Sequence, residues 1–287
     1  LPPYPVIKKG ASLLLAYRLE GRPVLLIGGG LVASGRLFFL LESGAHVTLV
    51  APAPLEASIQ HRVDHSNRSD ITYHPREYSG RDDPIKVEDF AMVLTAIDDN
   101  ASSQTVCDMC REMRVPVNVA DVPPSCDFYF GAQLRRGPLQ IMVSTGGMGP
   151  KIGAMMRDII IKALPEDTEA AIEGVGALRA ELRRRAPGVG GDLGRRRMEW
   201  MIGVCDRWDL GQMQGLKDEG LRRRLLDEGW DQSRVIGPED VGVGVGSGRW
   251  FDFAGRAGLW GVGVGGLISG AAMATLFTLY LVRHSSR

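Results

Sequence analysis

Two short stretches of the chain carry residue types that could do chemistry. In the first, Gly28, Gly30 and Ala33 have the spacing G-x-G-x-x-A, directly after the apolar run Pro23 to Ile27. The first glycine permits a tight turn, the second lets main chain approach a diphosphate, and the alanine lets a helix pack closely on a strand. The free N–H groups and partial positive charge of that helix's first turn would then face an anion. The second stretch, VNVADVPPSCDFYFGA, sets Asp121 and Asp127 among prolines, Cys126 and three aromatic residues. Asp121 follows a strand-like run, where open α/β sheets place ligands, and a carboxylate there could accept a proton. Partial burial would be expected to raise its pKa. Asp121 can also be read as an ordinary residue opening a Pro-rich turn. Asp127 reads as a hydrogen-bonded turn or cap residue, and Cys126 as structural.

The elements that must position these residues are legible in outline. PVLLIGGG is a continuous apolar run ending in glycines, as in a buried parallel strand. LVASGRLFFLLESG follows as a helix, with Leu31, Phe38 and Leu41 at helical spacing and a stop at Gly44. AHVTLVAP is a second strand. Strand, glycine turn, helix and strand within this span begin a doubly wound sheet. DITYHPREY, FAMVLTAIDD, PVNVAD and LQIMVSTGG read as further strands, and NASSQTVCDMCREMRV as a helix with Asn100 as its N-cap. KIGAMMRDIIIKALP reads as a helix with Ile152, Met155, Met156, Ile159 and Ile160 at helical spacing. Beyond Pro165 the chain becomes charged and helical. Its arginine clusters, Arg183 to Arg185 and Arg195 to Arg197, read as solvated helix faces.

The acid expected about twenty residues after the glycine turn, to hold ribose hydroxyls, is missing. The second strand ends LVAPAP, leaving main chain around Pro52 and Ala53 for that task and NAD against NADP undecided. After the LQIMV run, Ser144, Thr145, Gly146 and Gly147 precede a helix start and could receive carboxylates, with Lys151, Arg157, Arg135 and Arg136 as candidate cationic partners.

The whole chain, at 287 residues, suits about two domains, and its 34 basic residues balance 34 acidic ones. No global field therefore points to nucleic acid. Four cysteines are too few for a disulfide scaffold and suggest a reducing, cytoplasmic setting. Cys107 and Cys110 form a CxxC, read as two small apolar residues on a helix. The N-terminal stretch does not read as a signal peptide. A glycine-rich stretch, 237–256, precedes an uncharged run, 257–282, long enough to span a bilayer as a helix, so a membrane anchor is expected there.

Three strings, SLLLAYRLEGRPVLLIGGGLVASGRLFFLLESGAHVTLVAP, VNVADVPPSCDFYFGA and LQIMVSTGGMGPKIGAMMRD, occur in this order and together resemble the sirohaem synthase family, most closely its fungal bifunctional type. The resemblance covers roughly 11–165 well and 166–235 by helical character alone. It lacks the methyltransferase domain of the bacterial fused enzymes. It implies NAD-dependent dehydrogenation of precorrin-2 to sirohydrochlorin, then insertion of Fe²⁺ to give sirohaem. It implies one aspartate, at the position of Asp121, acting in both steps. It also implies NAD contacts at Leu31, Val32, Pro52 and Ala53 and a homodimer built through 118–165; the turn Thr95 to Asp99, with Thr95 and Ala96, is read in addition as lying near the nicotinamide.

The fold expected is α/β. It comprises an NAD-binding Rossmann-type parallel-sheet domain (1–117), a small α/β dimerisation and active-site segment (118–165), a helical domain (166–236), the linker and a hydrophobic C-terminal helix. Two other functions fit the same residues: a dehydrogenase without chelatase activity, and a membrane-tethered NAD-sensing module without turnover.

Overall fold

A computed structural model describes residues 7, 9–67 and 69–243. The chain divides into two compact units between Glu173 and Gly174. In the first, five parallel strands form one sheet: β1 (Pro23–Ile27), β2 (His46–Val50), β3 (Ile71–His74), β4 (Met92–Thr95) and β5 (Val117–Val119), in the order β3-β2-β1-β4-β5. Chain order reverses at β1, so the crevice between the carboxyl ends of β1 and β4 is the topological switch point. β1 and β4 are almost wholly buried, which is why they read as continuous apolar runs.

Helices α1 (Leu31–Glu42) and α2 (Ala57–His65) cover one face of the sheet and α3 (Asn100–Glu112) the other. The stripe α1 buries is Ala33, Leu37 and Leu40, not Leu31, Phe38 and Leu41; Leu31 and Phe38 are exposed. The N-cap of α3 is Asp99 rather than Asn100. Its carboxylate accepts from the Ala101 N–H at 2.9 Å, and an ionised cap is favoured by the helix dipole. Cys107 and Cys110 lie fully buried on α3 among Val93, Val106 and Val117, and burial pushes the Cys110 thiol up to about 12.

After the sheet come an antiparallel hairpin, β6 (Ala132–Arg136) and β7 (Leu139–Val143), and helix α4 (Pro150–Ala163). α4 packs on the hairpin through Gly153, whose Cα side faces Ala132, Val143 and Thr145. Ile152, Met155, Met156 and Ile159 therefore point away from the hairpin and are exposed.

The second unit is helical: the bulk of α5 (Thr168–Arg185), α6 (Gly191–Arg207), α7 (Leu210–Met213) and α8 (Glu219–Arg224), around Leu178, Leu182, Trp200, Val204, Leu216 and Trp230. Four arginines of its two clusters, Arg185 and Arg195 to Arg197, have partners within the unit. Arg185 pairs with Asp227 at 2.5 Å, Arg195 with Asp192 at 2.5 Å, and Arg197 donates to the carbonyls of Ala186 and Gly188. The first residues of the glycine-rich stretch are ordered as a 3₁₀ turn, Pro238–Val241, with Arg207 paired to Glu239. Among the described residues no helix is long and apolar enough to cross a membrane. The candidate span 257–282 lies outside them.

Candidate active site at the carboxyl edge of the sheet

The carboxyl ends of the strands are knitted by main-chain bonds. Gly28 N–H donates to Val50 O at 3.0 Å, Ala96 N–H to Ile27 O at 2.8 Å and Ala120 N–H to Thr95 O at 2.9 Å. The three positions of the glycine motif have distinct surroundings. Gly28 has φ 121°, and a Cβ there would stand 2.2 Å from the Ala96 carbonyl oxygen. Only glycine lets the two turns approach so closely. At Gly30 a Cβ would meet nothing within 4 Å, and Ala33 is fully buried. Gly30 is the N-cap of α1; it supplies no side-chain cap, and the first turn carries no acid. Those N–H groups face an open cradle suited to a diphosphate.

Leu31 is 78% exposed, with Val32 beside it, and Pro52 and Ala53 are exposed after β2. These apolar surfaces rim the cradle. A carboxylate does stand near, six residues past the end of β2. Glu56 donates its N–H to Gly29 O at 2.8 Å, and its carboxylate accepts from the N–H groups of Ser58 and Ile59. Chiefly through the Ser58 hydroxyl, these bonds hold its pKa below the usual range. The reading of the β2 terminus overlooked it because it lies past the strand, capping α2. The Thr95 hydroxyl turns inward and bonds Ser103 at 2.9 Å, so the buried Thr95 side chain is engaged with α3.

Asp121 stands two residues beyond β5 with φ 59°, in the left-handed region that aspartate tolerates better than most residues. It is exposed, so the partial burial expected from the sequence is absent. The following turn is heavily bonded. Pro123–Ser125 forms a 3₁₀ turn, the Cys126 thiol donates to Val119 O at 3.0 Å, and Arg111 donates to Pro124 O at 2.8 Å. Asp127 accepts from the Val117 N–H at 3.0 Å and returns its own N–H to Val117 O at 2.9 Å. Asn118 donates to Phe128 O at 2.8 Å, while its buried Oδ1 has no partner. Asp121 alone of the two acids is left free.

The loop after β7 is built as a cradle of small residues. Gly146 and Gly147 have φ 60° and 82°, Gly146 N–H donates to Ser144 Oγ, and Gly149 N–H to Thr145 Oγ1. Most of the cations proposed to accompany it are spent. Arg157 forks onto its neighbour Asp158 at 2.7 and 2.9 Å. Arg136 donates to the Leu164 and Pro165 carbonyls, and Arg135 to Glu42 O. Lys151 is exposed. The basic residue overlooked in the sequence is Arg36, half-buried on α1, with its guanidinium 4.0 Å over the ring of Phe130.

The chain is similar to known proteins along most of its described length. Residues 15–132 match an NAD(P)-binding family, 136–163 the central region of sirohaem biosynthesis proteins and 165–236 their C-terminal region. A siroheme biosynthesis protein of Schizosaccharomyces pombe is 41% identical over 228 residues, covering 78% of this chain and 81% of that protein. Its counterpart in Saccharomyces cerevisiae, also a siroheme biosynthesis protein, is 34% identical over 203 residues, covering 60% and 74%. Among solved structures, the precorrin-2 dehydrogenase SirC superposes with a TM-score of 0.56 at 21% identity, over 76% of this chain and 98% of that one, a likeness of fold. With its three regions matched in order and four-fifths of the fission-yeast protein covered at that identity, the chain belongs to the sirohaem biosynthesis protein family.

Proposed function

We propose that the chain dehydrogenates precorrin-2 to sirohydrochlorin and then serves iron insertion into that product. The observation that carries this reading is the position of Asp121. It is a free, exposed carboxylate held at φ 59° past β5, on the same sheet edge as the uncapped start of α1. NAD, when bound, would supply the hydride acceptor. Gly28, Gly30 and the first turn of α1 would hold its diphosphate, with Leu31, Val32, Pro52 and Ala53 packing on the remainder. The matched NAD(P)-binding family leaves NAD and NADP open, and Glu56 beside the glycine turn favours NAD, because a 2′-phosphate would meet its negative charge.

Dehydrogenation removes a hydride and a proton from the macrocycle, and Asp121 would take the proton and release it to solvent. Iron insertion expels two pyrrole protons, and the same carboxylate can accept them in turn. Fe²⁺ is here a substrate. Ser144, Thr145 and Gly146 would receive carboxylates of the ring.

The exposed stripe Ile152, Met155, Met156 and Ile159, with Met148 at its start, supports a homodimer formed through α4. The test of function is purified chain with precorrin-2, NAD and Fe²⁺. NADH and sirohydrochlorin should appear at equal rates, followed by the sirohaem spectrum. No NADH above the enzyme-free rate would refute the dehydrogenase. NADH without enzyme-dependent sirohaem would reduce the function to dehydrogenation alone.

A further inference from the structure

Arg36 is a basic side chain that the fold leaves without a hydrogen-bond or ion-pair partner among the described residues. It lies on α1, the helix whose first turn faces the dinucleotide cradle, and its guanidinium stacks 4.0 Å over Phe130. Phe130 is itself stacked with Phe39 and tilted against Phe128, so this platform is fixed by packing. Arg36 makes no hydrogen bond and no ion pair among the described residues. Burial lowers its pKa, while Cys126 and Asp121 act on it electrostatically to raise it. Phe130, on which it rests, belongs to the segment that follows Asp121, and the two charges act on each other without forming an ion pair. A guanidinium held over a ring 4.0 Å from its centroid keeps its N–H donors available to grip a carboxylate with two parallel bonds.

We propose that Arg36 anchors a side-chain carboxylate of the tetrapyrrole next to Asp121, so that α1 positions both the cofactor and the substrate. The proposal rests on the substrate reading above. It makes the reacting face of the ring meet Asp121 through an ionic contact rather than through apolar packing alone. Arg135, Arg136 and Arg157 differ from it in already being tied to main-chain carbonyls or to Asp158.

The test uses the full chain and the variants Arg36→Gln and Arg36→Lys. Binding of a metal-free porphyrin octacarboxylate and of the same ring fully esterified is followed by fluorescence quenching, alongside steady-state kinetics with precorrin-2. Arg36→Gln should raise KM for precorrin-2 by about 10- to 100-fold, with kcat and NAD affinity within about threefold. The wild-type preference for the octacarboxylate over its ester should shrink by a similar factor, and Arg36→Lys should lie between. An unchanged preference overturns the proposal. So does a loss of NAD affinity, which would make a cofactor phosphate the partner. A kcat pH profile shifted at unchanged KM also overturns it, since Arg36 would then act on Asp121 alone. Wild-type chain that neither turns over precorrin-2 nor binds the octacarboxylate overturns the parent reading as well, and is distinct from a defect confined to the variants. Should Arg36→Gln fail to fold, Arg36→Lys, which keeps the stem over Phe130, decides the matter by the same ratio.

Discussion

Asp127 grips both main-chain polar groups of Val117, accepting from its N–H at 3.0 Å and donating to its carbonyl at 2.9 Å. This pair folds the 120–130 segment back along the edge strand β5 and so fixes where Asp121 projects. Asp127→Ala should cost about 1–2 kcal/mol of stability by leaving a strand N–H without its partner. Denaturant unfolding measures this. NAD affinity should stay within about twofold, because the glycine turn is untouched. A variant as stable as wild type would remove the clamp.

Gly28 and Gly30 should respond in opposite ways to a methyl group. Gly28→Ala forces a Cβ to 2.2 Å from the Ala96 oxygen at a φ of 121°, and should lose roughly 3 kcal/mol or more. Gly30→Ala meets nothing within 4 Å, so its melting temperature should barely move. Its NAD affinity should nonetheless fall by about tenfold or more, since the added methyl occupies the cradle. Melting curves and NAD titrations of the two variants separate the fold from the binding role.

How far the sequence disclosed these roles depends on where each residue's meaning resides. The doubly wound sheet was legible because β1 and β4 are almost wholly buried and their residues are mostly apolar, with β2 nearly so. The motif at Gly28, Gly30 and Ala33 is local, so its geometry could be argued from spacing. Asp127 was legible as a turn residue, but its partner ten residues earlier was not. Arg36 and Glu56 were missed for a common reason. Each lies on or just before a helix, where a charged residue usually means solvent, and only the packing of Phe130 against α1 and of Glu56 against Gly29 gives them a place. The burial expected for Asp121 failed because two apolar neighbours in sequence, Val119 and Val122, turn inward without covering it. The stripe on α4 was read correctly as one helix face, yet nothing in its spacing says whether that face meets this chain or another.

Acid stability should be set in part by Asp83. Burial raises its pKa, but two bonds from Arg76 at 2.5 and 2.9 Å and the N–H groups of Ser79 and Ile85 outweigh burial and hold it at about 2. Its folded pKa is below the unfolded value, so its contribution is complete above about pH 4 and is lost as pH falls through about 2. That contribution is roughly 2 kcal/mol by linkage. Asp83→Asn should flatten the acid limb of a stability–pH curve between these values. An unaltered limb would contradict the pairing.

The α4 stripe predicts oligomeric state. Ile152→Lys with Ile159→Lys puts two charges on an exposed apolar face without touching Gly153 and its contacts with the hairpin. Light scattering should report a dimer for the wild type and a monomer for the variant. A wild-type monomer at micromolar concentration would overturn the dimer.

The decisive measurement concerns Asp121. Asparagine tolerates φ near 60° as aspartate does, so Asp121→Asn removes the charge and leaves the turn. In single-turnover assays with precorrin-2, NADH formation by Asp121→Asn should fall by about 100-fold or more, with NAD affinity unchanged within about twofold. Enzyme-dependent iron insertion should fall in parallel. A variant that forms NADH at a rate within a few-fold of wild type would contradict a catalytic role for this carboxylate.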